Sequence, residues 1–363
     1  MAENTSGDIY AKRDENEMFW VARQPHLNRF GYDLRPRYQP DWQPSWGDHP
    51  ENWIDAEDAM PLPFRFNVID AVRLNDQSLV YIKVVERDSQ EVQIAKYLRS
   101  EELQKDPRNC CVPILDVLHL PGDEDLSFMV MPFLRYIDSP PFELVGDVLQ
   151  CGGELLKGLE FLHEHNIAHR DCAFKNVMMD ARTIYPQGHH PILNEYLPDC
   201  SRIAPVLPRA GAGVKYYFTD FGISTRFTAD EETKLVLGRK GLDDSPPELS
   251  DDVPYDPFKL DVYILGNLFR EKFTQKYRNL CMLDPLVGKM TARDPAQRPT
   301  AQEALHEWQV VQENTAMLTS GWRLQPADEG ALLGAVRDTL HPLFVFYNSA
   351  MSRRRSAPAP PAP

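Results

Sequence analysis

The stretch HRDCAFKN, residues His169 to Asn176, sets an aspartate five positions ahead of an asparagine, in a turn that follows a long amphipathic run. That pair suits phosphoryl transfer. The Asp171 carboxylate can accept the proton of an incoming hydroxyl, and the Asn176 amide oxygen can ligate Mg²⁺. A second stretch, Asp220-Phe221-Gly222, follows the apolar run Val214 to Phe218. An aspartate at a strand end can hold a metal that bridges phosphates, and the glycine gives the following loop backbone freedom.

Moving outward, Val148, Cys151, Leu155, Leu159 and Leu162 recur at helical steps. They predict a long helix ending before Asn166. Upstream, Phe66 to Leu74 and Ser78 to Val85 read as strands joined by a turn at Asn75-Asp76-Gln77. A helix is expected from Glu91, with Ile94 and Leu98 on one face, and further strands at Pro113 to Leu118 and Ser127 to Met131. Downstream, Leu260 to Phe269 is apolar on every side and predicts a buried helix. Strands first and helices later give a two-part α+β architecture.

Other segments flank or interrupt this core. Residues 1–61 form an arm rich in aromatics and proline (Phe19-Trp20, Trp42, Trp46, Trp53), expected to dock on the domain that follows. Residues 181–213 carry Pro186, Pro191, Pro198, Pro205 and Pro208 and read as a surface insertion, with His189 and His190 as surface residues. Residues 311–350 read as a C-terminal helical extension. Residues 351–363, with Arg353-Arg354-Arg355-Ser356 before APAPPAP, read as a disordered tail.

The net charge of −15 argues against nucleic acid or an anionic membrane as the main partner. The longest short apolar run, Leu343 to Tyr347, is too brief to span a bilayer. The polar N-terminus has neither a secretory nor a mitochondrial leader pattern, and the 6 cysteines contain no CxxC pair. Reduced thiols in a cytoplasmic or nuclear protein are expected. Oligomeric state is left open.

Taken in order, with Asn176 at its offset, the two quoted stretches resemble the catalytic loop and DFG segment of the eukaryotic-type protein kinase family. Tyr81-Ile82-Lys83 looks like the strand whose lysine grips the α/β-phosphates of ATP. Glu91 resembles its ion-pair partner, with Glu101 and Glu102 as alternatives. Phe128 to Leu134 (FMVMPFL) resembles the strand and hinge behind adenine, with Met131 as gatekeeper and Phe133 among the adenine contacts. Pro246-Pro247-Glu248 resembles the close of an activation segment, Arg298 the arginine that pairs with that glutamate, and Asp261 the aspartate that braces the catalytic loop. His169 is expected to pack beneath Phe221.

The resemblance covers about residues 62–310. It implies a two-lobed fold, with a small β-rich N-lobe over about 62–134 and a larger helical C-lobe over about 135–310. ATP and Mg²⁺ are the implied cofactors and a protein hydroxyl the implied acceptor. Asp171, Lys83, Asn176 and Asp220 form the implied catalytic set, with Asn176 and Asp220 as metal ligands. Ala173 and Lys175 leave Ser/Thr versus Tyr preference open. Thr225, Thr228 and Thr233 are candidate phosphorylation sites that Arg170 would pair with. Besides Ala173 and the long separation of Asp171 from Asp220, the sequence departs from the family around Lys83. No GxGxxG precedes Lys83, and Tyr81 stands where the family carries a small alanine. A pseudokinase scaffold is therefore the alternative function, and a small-molecule phosphotransferase the third.

Overall fold

The two runs expected as strands on either side of Asn75-Asp76-Gln77 lie at the centre of an antiparallel sheet. A computed structural model describes residues 10–47, 49, 53, 56–60, 66–315, 317–330 and 332–340. Its sheet comprises β1 (Tyr32–Asp33), β2 (Val68–Arg73), β3 (Ser78–Glu86), β4 (Asp116–Leu118) and β5 (Leu126–Pro132), in the order β1-β2-β3-β5-β4. The turn between β2 and β3 forms where expected. Asp76 Oδ1 accepts from the Ser78 amide at 3.1 Å and Gln77 takes a φ of 59°.

Successive side chains of a strand face opposite ways, and here the two faces meet different partners. Ile69, Ala71, Val80, Ile82, Phe128 and Val130 form one buried cluster with Trp20, Leu27 and Tyr38 of the arm. The arm helix α1 (Glu15–Arg29) starts with a capping box between Asp14 and Glu17. Trp20 meets Phe128 edge to face at 6.3 Å and donates its indole N–H to the Phe66 carbonyl at 3.0 Å. The arm also supplies β1, so it is a structural layer of the sheet. Arg37 locks it in place, buried against Glu17 with Nε to Oε1 at 2.5 Å.

The opposite face of the sheet turns toward a helical portion. Between them lie α2 (Gln90–Leu98), capped by Ser89, and the short strand β6 (Arg135–Tyr136). Then follow α3 (Val145–Glu164), β7 (Ile167–Ala168), β8 (Val177–Asp180), β9 (Lys215–Phe218), β10 (Thr225–Arg226), β11 (Val236–Gly238) and β12 (Ser250–Tyr255). The helices α4 (Pro257–Phe269), α5 (Asp284–Met290), α6 (Ala301–Asn314) and the short α7 (Met317–Ser320) complete it. As its composition requires, α4 is buried on nearly every side. Helix α3 crosses α6 so closely that a Cβ at Gly152 would stand 2.2 Å from the Trp308 ring.

Residues 181–213 connect β8 to β9, which pair antiparallel with Asp180 opposite Lys215. Much of the stretch is exposed, Pro186, Pro198 and Pro208 among it, but the expectation that His189 and His190 lie on the surface is corrected here. Ile184, Tyr185, His189, His190, Ala204 and Arg209 are buried. Arg209 holds the stretch down by donating to the Ile137 carbonyl at 2.8 Å and covering the Phe142 ring. Backbone groups with no regular partner need such side-chain anchors once buried. In the expected C-terminal extension, residues 311–314 complete α6 and residues 332–340 are helical. Residues 341–350, with Leu343 to Tyr347, and the tail 351–363 lie outside the described residues. Among the described residues, no helix is long and apolar enough to cross a membrane. Cys110, Cys111, Cys151 and Cys172 are buried thiols.

Candidate active site

Lys83 projects from β3 toward the helical portion, on the same face as Tyr81 because strand periodicity is two. Its Nζ donates to Glu91 Oε1 at 2.6 Å and to Asp220 Oδ1 at 2.8 Å. Glu91 sits in the first turn of α2, where the helix N-terminus favours an acid. The bond to Lys83 settles the choice among the three glutamates, since Glu101 and Glu102 are both exposed and Glu101 pairs with Lys105. Burial pushes the Glu91 carboxyl above its ordinary value, and the neighbouring Lys83 charge works in the opposite direction.

The loop after β7 is built around Asp261 of α4, which is fully buried. Its carboxylate accepts from the His169 amide at 2.8 Å, the Arg170 amide at 2.6 Å and His163 Nε2 at 3.0 Å. These bonds hold Arg170 at a φ of 66°, which a non-glycine residue adopts only when its surroundings impose it. His169 donates from Nε2 to the Thr219 carbonyl at 3.1 Å, and its ring tilts against Phe221 at 4.8 Å. Burial lowers its pKa, so the ring is neutral and serves as packing.

Asn176 Nδ2 donates to Asp171 Oδ2 at 2.8 Å and to the Asp171 carbonyl at 3.0 Å, which fixes the amide orientation. The Asn176 carbonyl accepts both the amide and the hydroxyl of Thr219, at 2.9 and 3.1 Å. That places Asn176 beside the Asp220 turn. Asn176 Oδ1, by contrast, is buried and has no hydrogen-bond partner among the described residues. A buried acceptor left open costs about 1–3 kcal/mol, and a divalent cation is the kind of group that would satisfy it. The donor set of Asn176 Oδ1 and the Asp220 carboxylate therefore fits Mg²⁺. Asp220 has a φ of 64°, a second strained non-glycine position in the cluster. At Gly222 the need is space: a Cβ there would lie 3.2 Å from Asp220 Oδ1 and 3.5 Å from Glu91 Oε2.

Two further groups complete the site. Leu242 N–H donates to Asp171 Oδ1 at 2.7 Å, from a bend where Gly241 has a φ of 148°. No motif in the sequence marked that contact. Farther off, Arg298 is buried and meets Glu248 with both terminal nitrogens, at 2.5 and 2.8 Å. Arg170 reaches the Thr225 hydroxyl at 3.3 Å.

Met131 lies directly across from Tyr81 in the β3–β5 ladder, and Asp70 directly across on the β2 side. Phe133 follows β5 and stacks on Tyr81, with centroids 4.4 Å apart and planes 24° from parallel. His189, expected on the surface, is buried against Phe133 at 5.4 Å. Arg35 of the arm pairs with Asp70 at 2.8 Å. Tyr81, Met131 and Phe133 had been singled out in the sequence, whereas Arg35 had not; Asp70 could have been found as an acid inside the apolar run Val68 to Val72.

No model of a known protein family matches the chain, and no curated protein matches it in sequence.

Proposed function

We propose that this chain is a phosphotransferase of the eukaryotic protein-kinase type, two-lobed, moving the γ-phosphoryl group of ATP to a protein hydroxyl inside the cell. The observation that carries the reading is Lys83, whose Nζ joins β3, α2 and the Asp220 turn in one buried ion cluster. Isolated buried ion pairs contribute little net stability, so three segments converging on one lysine point to a task beyond folding. The sheet order, the Asp261 brace and the buried Glu248–Arg298 pair support the same reading.

Within it, Lys83 would hold the α/β-phosphates. Asp171, oriented by Asn176 Nδ2, would receive the proton of the acceptor hydroxyl. Asn176 Oδ1 and Asp220 would hold Mg²⁺, which when bound offsets phosphate charge. The protein's contribution is positioning and fixed charge in a site largely shielded from water.

Incubation with labelled ATP and Mg²⁺ tests this against Asp171→Asn, which keeps shape and loses the base. Transfer is expected to fall by about 10²–10⁴-fold. Equal transfer by both proteins would remove Asp171 from the role.

A pseudokinase scaffold is the second reading. One observation favours it: the Tyr81 ring stacks on Phe133 beside Lys83, on the side of the strand that this reading assigns to the base.

A further inference from the structure

The base-binding half of the cleft is closed by the chain's own side chains, and they come from three separate segments. Tyr81 lies two residues before Lys83 on the same face, so a ligand whose phosphates reach Lys83 extends its base about 7 Å along β3. At that place Tyr81 stacks on Phe133, Phe133 rests on His189, and His189 meets Tyr185 at 5.0 Å. His189 belongs to the stretch between β8 and β9, and its Nδ1 donates to the His190 carbonyl at 3.2 Å.

His190 ties this stretch to the arm. Its Nδ1 accepts the amides of Ile192 and Leu193, at 3.2 and 3.0 Å, which leaves Nε2 as the protonated nitrogen. Nε2 then donates to Glu57 Oε1 at 3.1 Å. Glu57 in turn meets Arg35 at 3.4 Å, and Arg35 reaches Asp70, the cross-strand neighbour of Tyr81.

We propose that Tyr81 is a gate for the nucleotide base, closed by Phe133 and His189 and latched by the arm through the Glu57–His190 hydrogen bond. The proposal rests on the phosphotransferase reading and adds what admits the nucleotide. A stacked aromatic pair is worth about 0.5–1.5 kcal/mol, so Tyr81 can leave Phe133 when a base takes its place, at a cost in apparent affinity. Phosphate-only ligands bear none of that cost.

The test measures binding of Mg-ATP and of inorganic Mg-tripolyphosphate to the full chain, to Tyr81→Ala and to Glu57→Gln. Tyr81→Ala is expected to bind ATP about tenfold tighter while tripolyphosphate affinity stays within about twofold. Glu57→Gln, a change at the edge of the fold, is expected to move the same ratio in the same direction by about two- to threefold. A structural role for Tyr81 would shift both ligands together and leave the ratio alone. If tripolyphosphate binds and the ratio is the same in all three proteins, the gate is wrong and the phosphotransferase reading survives. If neither ligand binds any of the three, both fall.

Discussion

The two halves of one cleft are built by different rules. The phosphate half of the proposed site is made of charged and polar groups from short motifs: Lys83 bonds Glu91 and Asp220 at 2.6 and 2.8 Å, and Asn176 bonds Asp171 at 2.8 Å. The proposed base half is made of rings and a peripheral ion chain, with Tyr81 and Phe133 from recognisable segments and His189, His190, Glu57 and Arg35 from segments with no motif. Electrostatic sites demand particular atoms at particular places, and only a few residue types supply them. A slot for a planar ring demands shape alone, and many residues can fill it. The first half therefore admits few residue types, whereas the second can be filled by rings such as Tyr81, Phe133 and His189.

Breaking the phosphate half should have the largest effect. Lys83→Met leaves the Glu91 carboxylate buried beside Asp220 with its main counter-charge gone. A loss of about 3–5 kcal/mol in urea unfolding is expected, together with loss of tripolyphosphate binding. Adding Glu91→Gln should recover much of the stability and none of the binding. If the single variant unfolds like the parent, the cluster is not the electrostatic centre described.

The base half should respond to acid. Burial, and to a lesser degree the nearby Arg135 charge, depress His189 to about 4. The folded protein therefore refuses a proton that the unfolded chain accepts near its ordinary value of 6.5. Stability is full above that value and falls as pH drops from about 6.5 toward 4, by on the order of 3 kcal/mol. His189→Phe, which keeps a ring and loses the proton, should flatten that slope; an identical pH profile for the variant would place the titration elsewhere.

The smallest effect belongs to Gly222→Ala. A methyl 3.2 Å from Asp220 Oδ1 asks that carboxylate to shift by a few tenths of an ångström. Transfer should slow by about tenfold with little change in stability. A thermal scan beside the transfer assay separates the two. A stability loss as large as that of Lys83→Met would mean the glycine serves packing alone.

How far the sequence was legible follows the same division. Strand and helix positions were readable because burial on one face imposes a period of two or near 3.6 on the apolar residues. The β3 lysine, the Asp171–Asn176 offset and the Asp220 turn were readable because their chemistry tolerates few substitutes. Asp261 and Arg298 were readable only through family resemblance, and the structure gives each a buried partner. His189 was misread because a Pro- and Gly-punctuated stretch ordinarily lies on the surface. Nothing local announces that Arg135 and Arg209 fasten that stretch down.

By itself, then, the sequence determined the mixed α and β composition, the order of β2, β3, α2, β4, β5, α3 and α4, and the polar residues that meet at Lys83. Each is a local property, either a periodicity or a residue type at a fixed offset. Only the tertiary structure decided that the arm contributes an edge strand, that Leu242 caps Asp171 and that Glu57 meets His190 across 133 positions of chain. Contacts of that span depend on where whole layers pack, and no short window of residues encodes that. The same holds for Tyr81. The sequence shows an unexpected ring beside Lys83, and the fold decides that Phe133 and His189 hold it.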